Sequence, residues 1–124
     1  MKNRLPNGMT STEFKAKLWL AQTCNLTCDQ IRFHGRSSPD FELPDGRGFE
    51  VKLLEDNHFI MGWYQWGKLV ERGNCSLILW RKTDSNPEAI FPVEALPPRP
   101  PQYQKYGEEI WLECAGYHVS MGNY

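Results

Sequence analysis

Asp40, Glu42, Glu50 and Lys52 crowd three carboxylates and an amine into one short alternating stretch. Period-2 alternation puts Asp40 and Glu42 on one strand face, with Phe41 and Leu43 on the other. It likewise puts Glu50 and Lys52 on one face, with Phe49, Val51 and Leu53 opposite. Between the two runs, Pro44-Asp45-Gly46-Arg47-Gly48 reads as a turn, because proline presets φ and the glycines take positive-φ positions. The runs therefore form a hairpin. Pairing Pro44 with Gly48 around Asp45-Gly46-Arg47 sets Leu43 opposite Phe49, Glu42 opposite Glu50 and Asp40 opposite Lys52. A one-residue slip would set Glu42 against Phe49 and spoil both faces, so the register is well specified.

Like charges directly opposed on a sheet are destabilising by roughly several tenths of a kcal/mol. A divalent cation reverses the sign of that interaction, and clustered carboxylates suit a hard, oxygen-preferring ion such as Mg²⁺. Lys52, on the same face, is placed to hold an attacking water or to stabilise charge on a phosphate. Carboxylates, a hard metal and a lysine are together what metal-assisted phosphodiester hydrolysis requires.

These residues are also spelled in a familiar way. Pro39-Asp40, then nine residues, then Glu50-Val51-Lys52 resembles the PD-(D/E)xK nuclease superfamily, over roughly Glu13 to Leu96. The loop Gly35-Arg36-Ser37-Ser38 is similar to the serine-containing loop of archaeal Holliday-junction resolvases. Gln65-Trp66, followed by Gly73 and a hydrophobic strand, is similar to small stand-alone VRR-type phage nucleases. The resemblance implies an α/β fold with a restriction-endonuclease-like αβββαβ core, its mixed central sheet flanked by helices. It implies a metal-dependent DNA endonuclease using Mg²⁺, with Mn²⁺ able to substitute, acting on DNA that includes branched forms. Asp40, Glu50 and the backbone carbonyl of Val51 would ligate the metal, and Lys52 would orient or activate the water. Glu13 on the N-terminal helix and Gln65 on the helix after the lysine match further catalytic positions. The alternative is a nuclease-fold module that binds nucleic acid or protein and has lost catalysis.

Glu13 and Gln65 also have plainer readings. Thr10-Ser11-Thr12-Glu13 is a capping-box pattern, so Glu13 can be only a helix cap. Gln65 lies on the helical face opposite Trp63, Trp66 and Val70, which reads as solvated. Glu42 shares the carboxylate face but matches no family position. Arg36, Ser37, Ser38, Arg47 and Lys68, together with Arg32, are candidate phosphate contacts. His34, His58 and His118 are scattered without metal-ligand spacing, and Trp19 and Trp111 are open as base-stacking platforms.

The elements that must position these groups follow from periodicity. A helix is predicted over residues 11–24 and a half-buried strand over 30–34. The hairpin comes next. Phe59, Trp63, Trp66 and Val70 then mark one face of a helix over residues 57–72, stopped by Gly73. Cys75–Trp80 is a continuous apolar run, expected as an interior strand. Pro92 demotes residues 90–93 to an edge strand. The order is helix, three strands, helix, strand, then shorter strands. Residues 1–10 read as an arm, 11–96 as the nuclease core, and 97–124 as a proline-rich linker and aromatic tail.

The chain has 124 residues with 14 Lys and Arg against 15 Asp and Glu, a net charge of -1. That excludes a strongly basic nucleic-acid coat and departs from the generally basic resolvases. It leaves room for a local basic groove. The four cysteines contain no CxxC pair, so reduced thiols are expected and no structural zinc site. No apolar run is long enough for a bilayer span, and the first residues lack the apolar region of a signal peptide, so a cytoplasmic protein is expected. The tail bearing Tyr103, Tyr106, Ile110, Trp111, Leu112, Tyr117 and Tyr124 must bury its apolar surface on its own core or on a partner, and a homodimer is the expected partner.

Overall fold

Thr10 caps helix α1 (Ser11–Thr23) in the computed structural model, which describes residues 4–35, 37–96 and 109–122. The Thr10 hydroxyl accepts from the Glu13 amide at 3.1 Å, and the Glu13 carboxylate accepts from the Thr10 amide at 2.7 Å. This reciprocal box secures the helix start. Along the chain follow β1 (Arg32–Phe33), β2 (Phe41–Glu42), β3 (Gly48–Leu53), β4 (His58–Gly62), α2 (Trp63–Arg72), β5 (Cys75–Trp80), β6 (Ala89–Pro92), β7 (Glu109–Cys114) and β8 (Tyr117–Gly122). The result is a mixed α/β fold with two helices and two sheets among the described residues.

The larger sheet runs β1-β2-β3-β5-β6 and the smaller β4-β8-β7. β3 and β5 pair in parallel, while β2 and β6 pair antiparallel to them, so the large sheet is mixed. β5 is interior and buried on both faces, as its unbroken apolar run requires. Ile78 and Trp80 join the core under α1, with Ala16, Leu20, Phe41, Leu43 and Phe49. Cys75, Leu77 and Leu79 join the second core, with Trp63 and Leu69 of α2, Phe59 and Met61 of β4, and Val119 and Met121 of β8. The molecule is thus layered as α1, the large sheet, then α2 with the small sheet. On α1 the buried face is Ala16, Leu20 and Ala21, while Phe14 and Leu18 stay exposed. The predicted 30–34 strand shortens to Arg32–Phe33, because Cys28–Gln30 makes a 3₁₀ turn just before it. β6 sits at the sheet edge, where Pro92 costs least.

Two sequence expectations change here. First, the hairpin register is offset by two residues: Phe41 faces Phe49 and Glu42 faces Gly48. The Leu43 amide bonds the Arg47 carbonyl at 2.9 Å and the Gly46 amide bonds the Leu43 carbonyl at 2.9 Å. Pro44 therefore occupies the second position of a tight turn, where its missing N–H is harmless, instead of a ladder position. Gly46, at φ 92°, takes the left-handed residue that closes a three-residue hairpin loop. A two-residue offset preserves the faces, so the carboxylates and Lys52 keep the side that alternation gives them.

Second, residues 58–62 are a strand and not the first turns of a helix. Asp56, at φ 52°, turns the chain, and Glu55 and His58 bridge across the turn. Phe59 and Met61 are buried with Ile60 exposed between them, a period of two. Gly62 then caps α2, which keeps Trp63, Trp66 and Val70 against the core. The spacing of Phe59 to Trp63 suits a helix, but β4 is claimed by a partner far along the chain: it pairs in parallel with β8.

Residues 97–108, including the proline-rich linker with Tyr103 and Tyr106, lie outside the described residues, as do Arg36 and Tyr124. β7 and β8 form a hairpin through Ala115 and Gly116, both at positive φ, and lay Val119 and Met121 into the second core. All four cysteines are free thiols. Among the described residues no helix is long and apolar enough to cross a membrane.

Candidate active site

Asp40 and Glu50 lie across from each other where the corrected register continues past β2. The Asp40 amide donates to Glu50 Oε1 at 3.0 Å, and the Val51 amide donates to Asp40 Oδ2 at 2.9 Å. Each carboxylate is thus held by the backbone of the opposite strand. Both are nearly buried, Asp40 at 7% and Glu50 at 4% exposure. They border a cavity of about 460 Å³ that Glu13, Ser37, Ser38, Val51, Lys52 and Gln65 also line.

Gln65 ties the site together. Its amide nitrogen donates to Glu50 Oε2 at 2.5 Å and to Ser38 Oγ at 3.0 Å, while its carbonyl accepts from Lys52 Nζ at 2.6 Å. One side chain therefore spans the carboxylate and the amine. Gln65 points into the cavity and not into solvent, because α2 packs its tryptophans on the core beside the mouth of the site. Ser38 is drawn in by the same amide.

The other predicted residues divide. Glu13 caps α1, and it also lines the cavity, 3.4 Å from Arg4 Nη1. Ser37 lines the cavity. Arg47 stays at the hairpin turn, paired with Asp45 at 2.8 Å and set over the Phe49 ring. Lys68 lies over the Tyr64 ring at 5.3 Å. Neither Arg47, Lys68 nor Arg32 lines the cavity. Glu42 is drawn away as well, to His34 Nε2 at 3.0 Å and Arg72 Nη2 at 3.8 Å. Sequence reasoning missed Arg4, Glu55, His58 and Ile60, which line the cavity. Arg4 reaches it because residues 4–10 fold back, with Arg4 bridging Thr10 and Met9 buried. Nothing local in the sequence marks that return.

Burial, followed by repulsion from Glu50, pushes the Asp40 carboxyl up to about 8, with the Val51 amide and Lys52 pulling the other way. Burial also raises Glu50, against the opposing pull of Lys52 and the Asp40 amide. Two buried, adjacent carboxyl groups resist joint ionisation. A positive ion between them removes that resistance. Among the described residues no group of three or more His, Cys, Asp or Glu side chains forms a ready-made metal cluster. Mg²⁺ does not ask for one, since it is usually held by one or two carboxylates and completes its shell with water and substrate phosphate. The all-oxygen donor pair fits such an ion. Comparison with known proteins returned no match: no family model, no curated protein and no solved structure matches the chain.

Proposed function

We propose that the chain is a metal-dependent DNA endonuclease of the PD-(D/E)xK type. The observation that carries this reading is the joining of Asp40, Glu50 and Lys52 at one cavity through the Gln65 amide and the paired strand backbones. Supporting it is the element order α1, β1 to β3, α2, β5, with β3 and β5 parallel across α2. β4 is inserted into that order and belongs to the second sheet.

In this reading Asp40, Glu50 and the Val51 carbonyl hold Mg²⁺ or Mn²⁺. The ion, when bound, supplies charge stabilisation at the phosphate and lowers the pKa of a water. The chain's own groups do the rest. The Val51 and Asp40 amides fix the two carboxylates, so little reorganisation is needed when substrate arrives. Gln65 holds the Lys52 ammonium at a set distance from Glu50, where it orients the attacking water or meets charge growing on the phosphate oxygens. Near-burial of the pair excludes bulk solvent and strengthens each of these interactions.

The test is cleavage of single-stranded, linear duplex, flapped and four-way DNA with Mg²⁺, Mn²⁺ or EDTA, by the wild type and Asp40→Asn. Cutting that needs a divalent ion and is lost in the variant is expected. A folded wild-type protein that cuts none of these with either metal overturns the reading and leaves the non-catalytic module.

A further inference from the structure

The small sheet has two unlike faces. Its inner face buries Phe59, Met61, Val119 and Met121. On its outer face, Ile60 pairs with Ser120 and Ser120 with Trp111, which sets Ile60 and Trp111 in one row across three strands. Trp111 is 57% exposed and Ile60 55%. The His58 ring meets the Trp111 ring edge-on, with centroids 5.6 Å apart. His58 and Ile60 also line the cavity that holds Asp40 and Glu50, so this face borders the candidate active site, with Ser120 buried between Ile60 and Trp111.

We propose that this face is a stacking platform for an unpaired DNA strand, which it leads into the cavity. The proposal rests on the nuclease reading of that cavity and narrows its substrate to single-stranded DNA or the loose arm of a branched one. Three observations favour a strand without its partner. The carboxylates are nearly buried, and a single strand bends inward to reach them more easily than a stiff duplex does. The net charge of -1 offers little general attraction for phosphates, and Arg4 and Lys52 are the Lys and Arg side chains lining the cavity among the described residues. Affinity must then come from a source other than charge. Stacking of bases on aromatic rings supplies it without regard to sequence. A tryptophan held on a sheet backed by the core is pre-organised for that contact and loses little entropy on binding.

The test is fluorescence anisotropy in EDTA with labelled oligothymidylate of about 12 nucleotides, within the usual site size. A duplex of equal length and an oligouridylate serve as competitors. The wild type is expected to prefer the single DNA strand. Its log–log salt slope is expected to be shallow, no steeper than about -1.4, the limit for two phosphate contacts. Trp111→Ala should weaken binding about tenfold or more, and Trp111→Phe should keep most of it. Because Trp111 is exposed, both variants are expected to fold like the wild type, which circular dichroism checks. Unchanged affinity in Trp111→Ala, tighter binding of duplex, or tighter binding of the RNA overturns the platform. A parallel Mg²⁺ cleavage arm separates the two claims. Cleavage by the wild type with unimpaired binding by Trp111→Ala sinks the platform alone. Lost binding in that variant, with no cleavage by the wild type, sinks the nuclease reading alone.

Discussion

Asparagine at position 40 would keep the shape of the aspartate and still accept from the Val51 amide, while losing the charge that burial and Glu50 oppose. Asp40→Asn should therefore abolish metal-dependent cleavage and raise the melting temperature of the metal-free protein. The gain has a pH signature. The Asp40 pKa is about 8 in the fold against an ordinary 3.8, so the folded chain holds a proton that the unfolded chain releases. Wild-type stability should then fall as pH rises from about 4 to about 8. The advantage of Asp40→Asn should open across that window and vanish near its acid end, which thermal melts at a series of pH values would show. Lys52→Ala tests the other half of the site. A group acting on the transition state affects rate and not ground-state binding. Binding should change little, while the single-turnover rate falls about a hundredfold to a thousandfold. Loss of binding in step with rate would make Lys52 a simple phosphate contact.

Strand β3 and its neighbours set how closely the site's walls approach. A Cβ added to Gly48 would stand 2.7 Å from Pro39 Cγ and 3.0 Å from the Cys75 sulfur. Glycine there lets the start of β3 pass close to the segment that carries Asp40. Gly48→Ala should cost about 1–3 kcal/mol in urea unfolding and reduce cleavage through displacement of Asp40. A stability within experimental error of wild type would show that Pro39 gives way freely. Helix α2 makes the matching contribution from the other side. It delivers Gln65 to Glu50 and Lys52 because Trp63 and Leu69 are anchored in the core. Gln65→Ala should slow cleavage while leaving α2 folded, since its core anchors are untouched. Full activity in that variant would remove the bridge from the mechanism.

Across the whole molecule, the described part of the tail covers some of its apolar surface internally. Cys114, Val119 and Met121 are buried in the second core, and Leu112 and Tyr117 pack against it. Trp111 stays exposed, while Tyr103, Tyr106, Tyr124 and the side chain of Ile110 lie outside the described residues. Sedimentation velocity at micromolar concentration is expected to report a single chain of 14.4 kDa, and so an enzyme that nicks one strand per encounter. A dimer would restore symmetric two-strand cutting. Mg²⁺ should raise the melting temperature, since a ligand that binds only the folded state stabilises it. That rise should be larger at pH 8 than at pH 5, where protons compete for the carboxylates, and it should disappear in Asp40→Asn.

Face and parity were decided by the sequence alone. Side chains alternate along any strand, so Asp40, Glu50 and Lys52 share a side whether the hairpin pairs around Asp45-Gly46-Arg47 or, as it does, around Pro44-Asp45-Gly46. The capping box at Thr10 and Glu13 and the interior character of Cys75–Trp80 are equally local and equally legible. Register, by contrast, turned on where Pro44 could sit without breaking a ladder bond, which placed Asp40, and not Glu42, against Glu50. Whether residues 58–62 extend a helix or form a strand depended on β8, some sixty residues away in the chain by its His58–His118 pairing. The inward turn of Gln65 and the return of Arg4 depended on where α2 and the first residues pack. These last features arise from contacts between segments distant in sequence, whose pairing energies no local pattern records, and only the tertiary structure decided them.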